Sequence, residues 1–170
     1  VRVSVRMNYR QFQGIALIER GRTKIEKGDL SGAEKDLRSA LEIGYTHFDT
    51  AEYYAAGHSE ELVGRAVRES NTKRENLFIT SKISPEHLSY DDVFKSCESS
   101  LRRLKMDYID LYLIHWPGRG MKLEKTFPAL NKLVRDGKVK RLGVSNFNLK
   151  LLKQSQEYSE TPILTNQVPY

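Results

Sequence analysis

The chain has 170 residues, of which 39% are hydrophobic and 29% charged, and it carries a formal net charge of +6. This composition is typical of one folded globular domain. No apolar run approaches the roughly 18 residues of a membrane span, and the basic N-terminus lacks the apolar core of a signal peptide. A single cysteine, Cys97, excludes an intramolecular disulfide and a multi-cysteine zinc site. We therefore expect a cytoplasmic protein with no metal site and no membrane partner.

The positive charge is concentrated in residues 101–170, and a basic half can indicate nucleic-acid binding. Here the basic residues are scattered over predicted helices and turns, without an accompanying aromatic-basic motif. A solvated surface explains these basic residues better, and a binding site for an anionic cofactor is a further interpretation. Nucleic acid is not the partner we expect.

Residues 1–36 are the least regular part of the chain, and we separate them as an atypical N-terminal segment from a domain over 37–170. Six charges fall between Glu19 and Lys27, which suits a helix or loop better than a central strand. The stretch 15–43 has the rhythm of a helix pair, whose second helix would end at Gly44. A helical N-terminal segment is therefore one expectation, and a poorly matching opening strand is the other.

Five short runs predict parallel strands buried on both faces, because they are nearly continuous in apolar, β-branched and aromatic residues. They are Tyr45–Thr50, Leu77–Lys82, Ile109–His115, Arg141–Asn146 and Ile163–Val168. Amphipathic helical patterns separate them, and most intervals are near the roughly 30 residues of one strand–helix–strand unit. A doubly wound sheet would carry a G-x-G-x-x-G turn, which does not occur here. A (β/α) barrel, with its chemistry at the carboxyl ends of the strands, is the alternative plan.

Each predicted strand ends in a polar residue that is able to do chemistry. These residues are Asp49, Lys82, His115, Ser145 with Asn146, and Gln167, and Tyr54 follows Asp49 by five positions. Any one of them alone would usually be a helix cap or a packed core residue. Five strands that all end this way favour a functional site.

The set suits proton delivery to a carbonyl group while a hydride arrives at its carbon. A tyrosine hydroxyl, with a reference pKa of about 10, is a ready acid only when a nearby ammonium stabilises the phenolate. Lys82 could supply that ammonium, Asp49 could hold Lys82, and His115 could orient the carbonyl oxygen. The hydroxyl and amide groups of Ser145, Asn146 and Gln167 suit the carboxamide of a nicotinamide ring.

Five motifs in order resemble the aldo-keto reductases over about residues 37–170. They are GYTHFDTAEYY at 44–54, LFITSK at 77–82, DLYLIHWP at 110–117, LGVSNF at 142–147 and NQVPY at 166–170. The resemblance implies NADPH-dependent reduction of an aldehyde or ketone to an alcohol. It implies a catalytic set and a cofactor-binding set, with Tyr53 and Trp116 in the substrate pocket. The catalytic set is Asp49, Tyr54, Lys82 and His115, and the cofactor-binding set is Asp49, Ser145, Asn146 and Gln167.

The chain also departs from the family, whose complete barrels need about 250 residues. It stops just past what resembles the sixth strand, so we expect a partial TIM-type (β/α) barrel without the last two βα units. In the family those units grip the 2′-phosphate and adenine of the cofactor. Open sheet edges recruit other chains, which predicts self-association. The alternative function is a reductase-like protein that binds partners and does not turn over.

Overall fold

The structure is a computed structural model that describes residues 9–169. The first eight residues of the predicted N-terminal segment and Tyr170 of the NQVPY motif therefore lie outside the described residues. Six α-helices are present in the described part: α1 (Tyr9–Glu26), α2 (Leu30–Glu42), α3 (His58–Arg68), α4 (Tyr90–Leu104), α5 (Leu123–Arg135) and α6 (Leu149–Tyr158). Five strands alternate with them after α2: β1 (His47–Asp49), β2 (Phe78–Ile83), β3 (Ile109–Ile114), β4 (Val139–Ser145) and β5 (Ile163–Gln167). None of the described helices combines the length and the apolar character that a membrane crossing requires.

The five strands form one parallel sheet in the order β1-β2-β3-β4-β5, so each strand pairs with its neighbours in sequence. In a flat sheet β1 and β5 would lie about 19 Å apart, four strand spacings. Instead, the Gln167 amide at the end of β5 donates to the Asp49 carboxylate at the end of β1 over 2.8 Å. The sheet is therefore strongly curled, and the predicted α/β partial barrel is confirmed. Each strand begins and ends within two residues of its predicted bounds.

The hydrophobic core lies between the sheet and the helices on its outer face. The central strand β3 is buried along its whole length, whereas the edge strand β5 is only partly buried. The outer-face core includes Phe48, Ile79, Tyr112, Leu142, Leu104, Phe127 and Leu133, all at most 1% exposed. This burial on both sides explains why the β3 sequence is an almost unbroken apolar run.

The N-terminal region is a pair of packed helices, α1 and α2, so the structure follows the helix-pair expectation. A short turn joins the two helices, and the Asp29 side chain caps α2 by accepting from the Gly32 amide over 2.9 Å. Asp36 of α2 is 2% exposed and forms ion pairs with Arg20 at 2.6 Å and Lys24 at 2.9 Å, both on α1. The division of the chain between residues 36 and 37 stays a prediction.

Helix α1 contacts residues on either side of β1, the edge strand for which the described residues provide no second strand partner. Gly14 of α1 packs so closely on the Tyr45 ring that a β-carbon there would lie 2.3 Å from Cδ2 of that ring. Two turns further along α1, the Arg22 guanidinium lies over the Tyr54 ring. The helix therefore extends past β1 toward the carboxyl end of the sheet.

Candidate active site

The predicted site residues meet at one edge of the sheet, because all five strands are parallel and their carboxyl ends point the same way. Asp49 lies opposite Thr80 in the β1–β2 register, and Ser145 lies opposite Gln167 in the β4–β5 register. Lys82 stands near the end of β2, and His115 directly follows β3. The structure brings together the whole set that the sequence predicted.

Lys82 is the most deeply buried of these residues, with 1% of its surface exposed. Its ammonium forms an ion pair with Asp49, donates to the Thr50 carbonyl oxygen at 3.0 Å and donates to the Tyr54 hydroxyl oxygen at 3.3 Å. An ammonium has three protons to donate, and a buried one is costly unless it is paired. The three acceptors satisfy all three protons. Because Tyr54 accepts from Lys82, its own proton is directed away from the lysine.

Tyr54 begins a tight turn, Tyr54–Gly57, between β1 and α3. Ala55 and Ala56 in this turn have φ angles of 48° and 53°, in the left-handed region that costs an ordinary residue about 1–2 kcal/mol. Strained backbone of this kind persists where the surrounding structure determines it, and it clusters at functional sites. The turn places the Tyr54 ring centroid 4.8 Å from the Lys82 ammonium.

His115 packs edge-on against Tyr54, with ring centroids 5.4 Å apart, and stacks on Trp116 at 3.6 Å. Burial, together with the positive charge of Lys82, lowers the pKa of His115 to about 4. The imidazole is therefore neutral at pH 7. Its Nδ1 atom is buried and has no hydrogen-bond partner among the described residues. At a buried position, an acceptor nitrogen without a partner costs less free energy than an N–H donor without a partner. The single ring proton is therefore assigned to Nε2.

Two aromatic side chains lie beside His115 on the solvent side. Tyr53 is 62% exposed and Trp116 is 37% exposed, and their ring centroids are 5.8 Å apart. An exposed pair of large aromatic rings is unusual on a protein surface unless it serves a binding site. Both residues were predicted to line the substrate pocket, which stays a prediction.

Ser145, Asn146 and Gln167 form a connected polar group at the ends of β4 and β5. The Ser145 hydroxyl donates to the Gln167 carbonyl oxygen at 2.7 Å, and the Asn146 amide donates to the His115 carbonyl oxygen at 2.9 Å. Within residues 9–169, no hydrogen bond reaches the side-chain oxygens of Asn146 and Gln167. These two oxygens could accept from the amide NH₂ of a nicotinamide ring, so the residues present fit that part of the cofactor.

Two features of the site were missed at the level of sequence. One is the hydrogen bond between Gln167 and Asp49, which are 118 positions apart. The other is Arg22, whose guanidinium carbon lies 4.8 Å from the Tyr54 ring centroid. The apolar residues Leu17, Ile18 and Ile25 recur at helical spacing and could have indicated α1. Nothing in the sequence could have placed α1 beside β1.

A curled parallel β/α sheet whose tyrosine, lysine, aspartate and histidine gather at its carboxyl end has the architecture and site placement of the (β/α)-barrel class of proteins. The family model described as the aldo/keto reductase family matches residues 17–170. The chain therefore belongs to the aldo/keto reductase family, and the predicted resemblance is confirmed.

Known relatives agree in sequence and in structure. A glyoxal reductase of Bacillus subtilis is 42% identical over 147 residues, which are 86% of this chain and 51% of that protein. A crystal structure of a thermostable aldo-keto reductase with the inhibitor epalrestat matches with a TM-score of 0.78 and 46% identity, covering 86% of this chain and 51% of the other. An aldo-keto reductase of Klebsiella pneumoniae in complex with NADPH matches with a TM-score of 0.67 and 34% identity, covering 96% and 50%. The chain thus spans about half the length of the relatives it matches.

Proposed function

We propose that this chain reduces a small aldehyde or ketone to an alcohol, with NADPH as the reductant and Tyr54 as the proton donor. The observation that carries the proposal is the hydrogen bonding of Lys82. Its ammonium donates to the Tyr54 hydroxyl and is held by an ion pair with Asp49. The proposal is supported by the glyoxal reductase of Bacillus subtilis and by the NADPH complex of the Klebsiella pneumoniae relative.

In the proposed reaction the substrate oxygen accepts two hydrogen bonds, one from the Tyr54 hydroxyl and one from Nε2–H of neutral His115. Bound NADPH would supply a hydride to the carbonyl carbon. As negative charge develops on the substrate oxygen, Tyr54 transfers its proton there, and the Lys82 ammonium stabilises the remaining phenolate. Asp49 fixes Lys82, so the acid is positioned before substrate arrives.

We assign the nicotinamide carboxamide to the group formed by Ser145, Asn146 and Gln167. Asp49 belongs to the same proposed cofactor site. Its second oxygen accepts from Gln167, so both of its oxygens are engaged in the structure. Tyr53 and Trp116 form the proposed wall of the substrate pocket beside His115.

The first test is a pair of tyrosine variants in the full chain. Tyr54→Phe should lower the rate of NADPH-dependent glyoxal reduction at least about 100-fold, since general acids contribute about 10²–10⁴-fold. NADPH binding by calorimetry should be unchanged. Tyr53→Phe makes the same chemical change on the neighbouring, exposed ring and should lose less than about threefold. Equal activity in Tyr54→Phe and the unmodified chain would remove Tyr54 from the acid role.

A second candidate function that we propose to test is a reductase-like module that binds partners without turnover. NADPH binding distinguishes the two candidates. Micromolar binding supports the reductase, whereas no binding at millimolar NADPH supports the module.

We also propose self-association through the edge strand β5, where Leu164 is 52% exposed and the adjoining Val168 is 57% exposed. Exposed apolar strand edges pair readily with other chains. Light scattering should therefore give a mass above that of one 19.6 kDa chain. A monodisperse monomer at all concentrations would contradict this proposal.

A further inference from the structure

Arg22 is a cation at the proposed active site that belongs to none of the five motifs shared with the family. Helix α1 carries it to the face of the Tyr54 ring, 4.8 Å from the ring centroid. Its guanidinium makes no hydrogen bond within the described part of the chain. The nearest acidic partner is Glu26, at 3.7 Å, and both side chains are at least half exposed. Exposed pairs at this distance hold a cation weakly, so the donors of Arg22 remain available to a ligand.

A cavity lies between α1 and the site, with a volume of about 210 Å³. Its lining includes Ile18, Arg22, Phe48, Asp49, Tyr54 and Gln167. One water occupies about 30 Å³ of liquid volume, so the space suits a molecule of a few heavy atoms. Arg22 and Tyr54 face the same cavity, which means that one small ligand can reach both.

Two other titratable groups near the cavity are already paired or neutral. Asp49 is engaged by Lys82 and by Gln167, and His115 is uncharged at neutral pH. Glu19 of α1 also lines the cavity and opposes Arg22. Arg22 is therefore the cation that a small anion would meet beside Tyr54. A guanidinium binds a carboxylate through two parallel N–H donors.

We propose that Arg22 is a specificity-determining residue that favours substrates with a carboxylate next to the reacting carbonyl, such as 2-oxo acids. The carbonyl oxygen would accept from Tyr54 while the adjacent carboxylate pairs with Arg22. This inference rests on the proposed reductase function, and it concerns which substrates the site takes.

Glyoxylate and glyoxal provide a matched test, because both are two-carbon aldehydes and only glyoxylate carries a carboxylate. Arg22→Gln should lower kcat/KM for glyoxylate about 10- to 100-fold, the range of one charge-assisted hydrogen bond. The value for glyoxal should change less than threefold. Arg22→Lys keeps the charge without the planar fork and should fall between. Arg102→Gln removes one charge from the exposed face of α4 and serves as the control. An equal loss for both substrates in Arg22→Gln would overturn the proposal.

Oxalate binding gives a readout that does not depend on turnover. Trp116 is the one tryptophan in the sequence and stacks on His115, so its fluorescence reports on the site. Arg22→Gln should weaken oxalate binding at least tenfold, and Glu19→Gln should strengthen it. No oxalate binding by the unmodified chain would overturn the inference. Arg22-dependent oxalate binding without reduction of either aldehyde would leave the anion site supported and the reductase proposal refuted.

Discussion

The sheet and the α1–α2 pair are stabilised in different ways. The sheet is held by fully buried apolar side chains, and Lys82 at its end is fixed by three hydrogen-bond acceptors. The pair also buries apolar side chains of α2, and in addition one buried carboxylate, Asp36, joins the two helices through Arg20 and Lys24. The proposed chemical groups therefore stand on the sheet. The residue proposed to select the substrate, Arg22, stands on the helix pair.

The largest expected effect comes from opening the core of the sheet. Phe127 of α5 is 1% exposed, and Phe127→Ala should lower the free energy of unfolding by about 3–5 kcal/mol. Urea denaturation measures this loss. Leu149→Ala, at a side chain that is 67% exposed, should change stability by less than about 0.5 kcal/mol. Similar losses of stability in the two variants would mean that Phe127 does not belong to the hydrophobic core.

As the pH falls, the carboxyl end of the sheet should lose stability before the α1–α2 pair does. Burial lowers the pKa of His115 from 6.5 to about 4. Between these two pH values the imidazole is protonated in the unfolded chain and neutral in the folded chain. Stability should therefore fall as pH falls from 6.5 toward 4, by about 2 kcal/mol between pH 7 and 5. His115→Asn should remove this part of the slope. His47, whose pKa is also lowered by burial, contributes in the same direction and is unchanged in that variant. NMR titration of His115 with a midpoint near 6.5 would contradict the prediction.

Removing the carboxylate of the helix pair should have a smaller and local effect. The Arg20 side chain is 60% exposed and becomes solvated when Asp36 is lost, so Asp36→Ala should cost about 1–2 kcal/mol. Hydrogen exchange should accelerate in α1 and α2 and stay unchanged in β3. Equal acceleration in β3 would show that the pair and the sheet unfold as one unit.

The α1–α2 pair should lose stability only at a lower pH, because its titrating group is a carboxylate and not a histidine. Hydrogen bonding from Arg20 lowers the pKa of Asp36, so its contribution is complete above the unfolded value of 3.8 and is lost as pH falls below it. Between pH 4 and 6.5 the sheet end should therefore weaken while the pair does not. Hydrogen exchange at pH 7 and pH 5 compares the two regions directly.

The smallest effect is expected at the surface ion pair between Arg135 and Glu160, where both side chains are 55% exposed. Arg135→Gln should cost less stability than Asp36→Ala, and 1 M salt should reduce that cost further. Urea denaturation at low and high salt measures it. A loss comparable to that of Asp36→Ala would mean that exposure does not distinguish the two ion pairs.

Much of the sheet could be predicted from the sequence because its signals are local. The run Ile109–Ile114 is nearly all apolar, and Ser89 and Asn148, residue types that favour helix N-caps, accept from the amides of Asp92 and Leu151 at the starts of α4 and α6. The polar residues at the strand ends could be predicted as a group, since parallel strands place their carboxyl ends at one edge. Helix α1 was harder, because the six charges between Glu19 and Lys27, five of which lie in α1, are compatible with a helix or a loop.

The sequence by itself determined the family, the parallel strands and the residues gathered at their carboxyl ends. These depend on apolar periodicity and on motifs that are read within a few positions. Only the tertiary structure decided that Gln167 bonds to Asp49 and that Arg22 lies over Tyr54. The first contact needs the sheet to curl, and the second needs α1 to reach the turn that follows β1. Both result from packing between distant segments, whose relative positions no local pattern encodes.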